Sequence, residues 1–237
     1  MNKDTNVYTL SKTEIHKVAR ERVSEINKEF IWGFEFLEKY PKSVTFFGSN
    51  QFSEQNEYYK SAQTLAGRIS KELDYSVVTG GGPGIMEAAS RGAFESGGTS
   101  LGITIKLPHE QIINKYLTKE FDCYYFFVRK VLLSFSAEAF IFYPGGFGTL
   151  DEFFEILTLI QTRKIEGVPI ICVGSDYWLS MEKFIRNELL SRGTVEREDI
   201  DLFTITDNHD EILEIIKTVP VRNSLQFSND TKPIKAN

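Results

Sequence analysis

The run Pro144-Gly145-Gly146-Phe147-Gly148-Thr149-Leu150-Asp151-Glu152 constrains the fold more than any other part of this chain. An apolar stretch, Ala139-Phe140-Ile141-Phe142-Tyr143, leads straight into it, and an amphipathic stretch over 153–160 follows. An apolar run, a glycine turn and then a helix is how a parallel α/β sheet presents main-chain N–H groups to a phosphate. Glycine lets the backbone approach an anion where a Cβ would stand in the way. A carboxylate just inside such a helix repels a phosphate, so it points to another part of a ligand, such as a ribose.

A second loop upstream follows the same grammar. Ser76-Val77-Val78-Thr79 reads as a short buried strand, Gly80-Gly81-Gly82-Pro83-Gly84 as the turn, and 85–94 as a helix ending near Gly97-Gly98. Pro83 sits where a first-turn proline is tolerated, because that N–H has no helical partner. A third, weaker instance is Val44-Thr45-Phe46-Phe47 running into Gly48-Ser49-Asn50. Ligands of parallel sheets bind in the crevice beyond the carboxyl ends of the strands. Three glycine-bearing strand ends therefore point to one nucleotide-sized site.

The pattern predicts an N-terminal helix over 11–40, with Ile15, Ala19, Val23, Ile26, Phe30 and Phe34 at spacings of three and four. That stripe can pack on the chain's own core or on a neighbour. Pro41 ends it. Strand-like segments at 44–47, 76–79, 100–105, 123–128, 139–143, 169–173 and 202–205 then alternate with helical ones at 54–73, 85–95, 130–138, 150–163 and 178–190, and a last helix covers 207–218. The expected architecture is α/β: a Rossmann-like, doubly wound, mostly parallel sheet with helices on both faces, plus the N-terminal helical segment. The expected division is a helical extension at 1–43, a Rossmann-like nucleotide-binding domain at 44–219 and a flexible tail at 220–237. The segment 107–121 breaks the alternation and reads either as a lid or wall of the crevice or as an ordinary crossover.

Bulk properties narrow the class. At 237 residues, 41% hydrophobic and 25% charged, the chain is ordinary for a globular domain. A net charge of -6 gives no support for nucleic-acid binding. Cys123 and Cys172 each sit in an apolar run and read as buried, reduced thiols. Residues 1–20 lack the apolar stretch of a signal peptide, and no stretch is long and apolar enough to span a bilayer, so the expected location is cytoplasmic with no membrane partner. His16, His109 and His209 show no metal-ligand spacing, so no metal site is expected.

The chemistry-bearing residues each have a structural reading beside the functional one. Thr149-Leu150-Asp151-Glu152 matches a capping box, in which Thr149 caps the helix and Glu152 reaches back to the Thr149 N–H. Judged alone, Glu152 is structural, and Asp151 favours the positive helix end. Arg129-Lys130 follows the aromatic run Tyr124-Tyr125-Phe126-Phe127-Val128 at another strand-to-helix junction. Cations at a helix start oppose its dipole, so an anionic ligand explains them better than stability does. Neither G-x-x-x-x-G-K-[ST] nor G-x-G-x-x-G stands at the expected strand ends, which counts against an NTPase or a standard dinucleotide site.

Taken together, Gly80 to Ala88 (GGGPGIMEA) and Pro144 to Glu152 (PGGFGTLDE) resemble the Lonely Guy family of cytokinin riboside 5′-monophosphate phosphoribohydrolases. The P-G-G-x-G-T-x-x-E signature is complete, Arg129-Lys130 matches the family's upstream R-K pair, and Gly48-Ser49 matches its first glycine turn. The N-terminal helix and Pro108-His109-Glu110-Gln111 resemble the larger, bacterial branch. The resemblance implies hydrolysis of the N-glycosidic bond of a purine, or N6-modified adenine, nucleoside 5′-monophosphate, giving free base and ribose 5-phosphate. It implies Arg129 and Glu152 as catalytic residues, and Gly48, Ser49, Gly81, Gly82, Met86, Lys130, Gly145, Gly146, Gly148 and Thr149 as substrate-binding residues. Glu152 either stabilises positive charge at the anomeric carbon or orients the attacking water. No metal or organic cofactor is implied, and the expected assembly is a homodimer or a higher homo-oligomer. The decarboxylase label sometimes given to the family would need a Schiff-base lysine, for which Lys130 and Lys164 offer no context. The alternative is a non-catalytic nucleotide or molybdenum-cofactor carrier on the same fold.

Overall fold

The computed structural model describes residues 12–106, 112–135, 137–165 and 167–220. Residues 221–237 of the expected tail at 220–237, and the stretch 107–111 with His109, lie outside the described residues. Seven strands form one sheet: β1 (Ser43–Phe47), β2 (Ser76–Thr79), β3 (Ser100–Ile105), β4 (Lys119–Cys123), β5 (Ala139–Phe142), β6 (Ile170–Cys172) and β7 (Phe203–Ile205). Their order is β4-β3-β2-β1-β5-β6-β7 and every pairing is parallel. The chain winds outward from β1 to β4, returns to the middle, and winds the other way from β5. The switch point therefore lies between β1 and β5, where crevices form in sheets of this kind.

Among the described residues, seven α-helices accompany the strands: α1 (Lys12–Leu37), α2 (Glu57–Leu73), α3 (Ile85–Glu95), α4 (Phe126–Phe135), α5 (Phe147–Gln161), α6 (Ser175–Phe184) and α7 (His209–Thr218). The strand residues alternate between two cores. Ala139, Ile141 and Tyr143 pack with α2, α3 and α7, whereas Phe140 and Phe142 pack with α4, α5 and α6. Burial on both faces explains why β5 reads as an unbroken apolar run and why β1 and β3 show no alternation of buried and exposed positions. The edge strand β4 differs, with Lys119 and Glu120 exposed, a charged edge that discourages pairing with another chain.

The N-terminal stripe splits. Ile26, Phe30 and Phe34 pack against the chain's own core, while Ile15 and Val23 remain exposed. Several element boundaries correct the sequence reading. Of the run 123–128 only Cys123 lies in a strand; β4 is the largely charged segment that it ends, and Phe126 already opens α4. Pro83 stands outside α3, whose N-cap is Gly84. Both cysteines are free and buried. Asp74 is a cap, at the C-terminus of α2 in the left-handed region with φ 59°. Among the described residues no helix is long and apolar enough to cross a membrane.

Candidate active site

Three glycine loops meet at the carboxyl edge of the sheet, and Ser49 ties them together. Its N–H donates to Pro144 O at 3.0 Å, and its carbonyl accepts the Ile85 N–H at 2.9 Å. Glycine is required here by crowding. A Cβ on Gly48 would lie 2.7 Å from the Ile85 side chain, and one on Gly145 would strike the Thr149 hydroxyl. At Gly84, φ is +71° and a Cβ would run into Ser49 O. Gly146 and Gly148 are different, because a Cβ on either meets nothing within 4 Å. Protein packing does not demand glycine there.

Helix α5 begins earlier than the sequence suggests. Gly146 is its N-cap, with no side-chain cap, and the first helical bond runs from Leu150 N to Gly146 O at 3.1 Å. The N–H groups of Phe147, Gly148 and Thr149 thus have no intrahelical acceptor and face outward at the positive helix end. The capping-box reading is therefore wrong: Thr149 lies inside the first turn and Glu152 a turn further on. The Gly-Gly corner starts the helix without help from a side chain.

Glu152 is 8% exposed, and its Oε2 has no hydrogen-bond partner. Burial pushes its carboxyl up to about 7, opposed by the positive charges of Lys130 and Arg129 and reinforced by Glu155 and Asp151. An unpartnered buried carboxylate oxygen is costly, which makes Glu152 a candidate for contact with a ligand.

Arg129 reaches the same place from α4. Its Nε donates to Ile103 O at 2.9 Å and its Nη2 to Gly80 O at 3.4 Å. The guanidinium packs against Gly80 so closely that a Cβ there would collide with it. Burial lowers its pKa, and the nearby Glu152 charge opposes that shift. Met86 covers the same loop, its Cε 2.7 Å from where a Gly82 Cβ would lie. Lys130 points instead to α5, 2.7 Å from Asp151 Oδ2 and 2.6 Å from Glu155 Oε2. Asp151 thus serves an ion pair between helices rather than the dipole of its own.

The structure therefore gathers Gly48, Ser49, Gly81, Gly82, Met86, Arg129, Gly145, Gly146, Gly148, Thr149 and Glu152 at one edge of the sheet, with Lys130 behind them in an ion-pair network. Two contributors escape the sequence reading. Asn114 is buried beneath the second loop, and the Tyr177 hydroxyl donates to Gly145 O at 2.9 Å. Neither lies in a recognisable motif; the only sequence signal for Asn114 was the broken alternation around it.

The family model described as "Possible lysine decarboxylase" matches residues 86–216. A cytokinin riboside 5′-monophosphate phosphoribohydrolase of Rhodococcoides fascians is 32% identical over 152 residues, covering 62% of this chain and 75% of that protein. This chain belongs to the Lonely Guy family. Another Lonely Guy relative, a probable cytokinin riboside 5′-monophosphate phosphoribohydrolase of Oryza sativa subsp. japonica, is 33% identical over 131 residues, covering 54% of this chain and 52% of that one. The fold matches the molybdenum cofactor binding protein of Rippkaea orientalis with a TM-score of 0.55 at 24% identity, covering 75% of this chain and 94% of that one. The lysine-decarboxylase description does not fit this site. A Schiff-base lysine must reach its neutral form, and the Asp151 and Glu155 carboxylates hold Lys130 charged against the effect of its burial.

Proposed function

We propose that this Lonely Guy protein hydrolyses the N-glycosidic bond of a purine nucleoside 5′-monophosphate, with adenine or an N6-modified adenine as the base. The observation that carries this reading is the buried, unpartnered Glu152 oxygen beside Arg129 at the open N-terminus of α5. In it, Gly145, Gly146, Gly148 and Thr149 hold the 5′-phosphate through main-chain N–H groups and the Thr149 hydroxyl. Gly48, Ser49, Gly81, Gly82 and Met86 form the walls. Lys130 holds α4 to α5 and adds positive charge near the bound anion.

As the bond to the base breaks, its electron pair leaves with the base and positive charge grows at the anomeric carbon. Ionised Glu152 stabilises that charge and orients the water that adds to the same carbon. Arg129 neutralises phosphate charge. The hydroxyl of the water stays on the anomeric carbon and its other proton ends on the base nitrogen that took the electron pair, so the products are the free base and ribose 5-phosphate. The names of the curated relatives support this reaction class, and the choice of base is drawn from them.

Incubation with AMP and an N6-substituted analogue tests it, with products separated by chromatography. Free base and ribose 5-phosphate are expected, with activity surviving EDTA. A nucleotide that binds but is returned intact from a broad purine panel would instead make the chain a carrier. The proposed assembly is a homodimer or a higher homo-oligomer, and light scattering giving a monomer at micromolar concentration would count against it.

A further inference from the structure

Helix α1 precedes the segment that the family model matches, yet it reaches the helix that carries Arg129. Glu29 is 9% exposed, although a lone carboxylate on a surface helix normally stays in water. Its two oxygens are both occupied: Oε2 accepts the Tyr124 N–H and Oε1 the Tyr125 N–H, each at 3.1 Å. These are main-chain groups at the entry to α4, where the helix end is positive and charge-assisted bonds are strong. Tyr125 is also the acceptor of the Arg129 N–H, at 3.1 Å. One residue therefore connects the Glu29 carboxylate to the backbone of Arg129.

The rest of the α1–α4 contact fixes the helix in rotation and in height. Phe30 packs near Phe127, Gly33 lies so close to Leu132 that a Cβ would clash with it, and Phe34 meets Phe135 edge-on with ring centres 4.8 Å apart. Successive turns of α1 thus meet successive turns of α4. The polar contact is at the end nearest Arg129.

We infer that Glu29 is a positioning residue for the site: by capping α4 it sets where the Arg129 guanidinium stands against Gly80 and Ile103. The inference rests on the proposed function for its effect on catalysis, but not for its effect on Arg129 itself. Small misplacement of a binding group is enough to matter, since about 1 Å can cost 10²-fold in rate.

The test uses the full chain and the variants Glu29→Ala, Glu29→Gln, Arg129→Lys and the Glu29→Ala/Arg129→Lys pair. A nitrogen–proton NMR spectrum without substrate reads the Arg129 Nε–H signal, identified by its loss in Arg129→Lys. Glu29→Ala should shift or broaden that signal and lower AMP kcat/KM by about 10-fold or more. The paired variant should be no more than about twofold worse than Arg129→Lys alone, because the two residues act through one group. Glu29→Gln keeps one acceptor oxygen and should fall between native and alanine; it replaces the alanine variant in every arm if that variant does not fold. An unchanged Arg129 signal in a folded variant, or losses that multiply in the pair, overturns the inference. A native protein that cleaves no nucleotide defeats the proposed function instead, and the Arg129 signal then decides the role of Glu29 alone.

Discussion

The side-chain amide of Asn114 donates to the carbonyl oxygen of Gly82, 3.1 Å away. Its main-chain N–H donates to Gly81 O at 2.9 Å, and its Oδ1 accepts the Tyr116 N–H at 3.1 Å. The residue is only 5% exposed, so the polar edge of the second glycine loop depends on it. Asn114→Ala leaves the buried Gly82 carbonyl without this donor, at a cost of about 1–3 kcal/mol. Thermal denaturation should show that loss, and calorimetry should show weaker AMP binding. Asn114→Asp should be no better, since an ionised carboxylate cannot donate. Native affinity in both variants would mean that the loop holds its shape unaided.

Glu152→Gln should stabilise the protein at alkaline pH. The native carboxyl titrates at about 7, raised by burial from an ordinary 4.5. The folded chain therefore keeps a proton that the unfolded chain has already lost, and native stability falls between those two values and stays level above them. The variant escapes that loss, gaining up to about 3 kcal/mol at about pH 8 and nothing below about pH 4. Denaturant titrations at the two pH values make the comparison. Equal stability at both would show that Glu152 is not buried as a neutral acid.

The same substitution should abolish most turnover, by on the order of 10²-fold or more, because glutamine cannot offset positive charge at the anomeric carbon. Stability and rate then move in opposite directions. A Glu152→Gln protein that hydrolyses AMP at the native rate would remove Glu152 from the mechanism.

If the ionised form of Glu152 works, AMP kcat/KM should climb as pH rises through about 7. Burial raises that value, and the Lys130 charge is the largest influence holding it down. Lys130→Met should therefore move the acid limb to higher pH. A limb that moves the other way, or does not move, breaks the assignment of the limb to Glu152.

Adenosine should be a far poorer substrate than AMP, by on the order of 10²-fold or more in kcat/KM, because phosphate binding at α5 helps the bond-breaking step at a distance. Comparable values for the two would mean that the open helix end holds no phosphate.

The glycine loops, the strands that lead into them and the Rossmann-like winding were legible in the sequence, because strands buried on both faces lack a polar alternation and run straight into glycine turns. The start of α4 was not. Tyr124 to Val128 has strand-like composition, yet it enters a helix because Glu29, far away in the sequence, accepts the N–H groups at its start. The charged edge strand β4 was hidden for the opposite reason, since it carries little of the apolar signal that marks a strand. Glu152 carried two readings in the sequence, because the T-x-x-E spacing also fits a cap. Only the helix start at the Gly-Gly corner separates the two readings. Asn114 and Tyr177 act through loop contacts that leave no periodic trace.

The bond from Ser49 N to Pro144 O also bears on how the molecule matures. Its partners follow β1 and β5, the central strands from which the sheet winds in opposite directions. Neither half of the sheet contains the crevice by itself. On the proposed function, a growing or partly folded chain is therefore chemically silent, and competence arrives with the long-range closure that completes the sheet, a slow class of contact. On that same proposal, nucleotide binding stabilises the finished molecule and leaves its precursors untouched, so retention on an immobilised nucleotide would report complete folding.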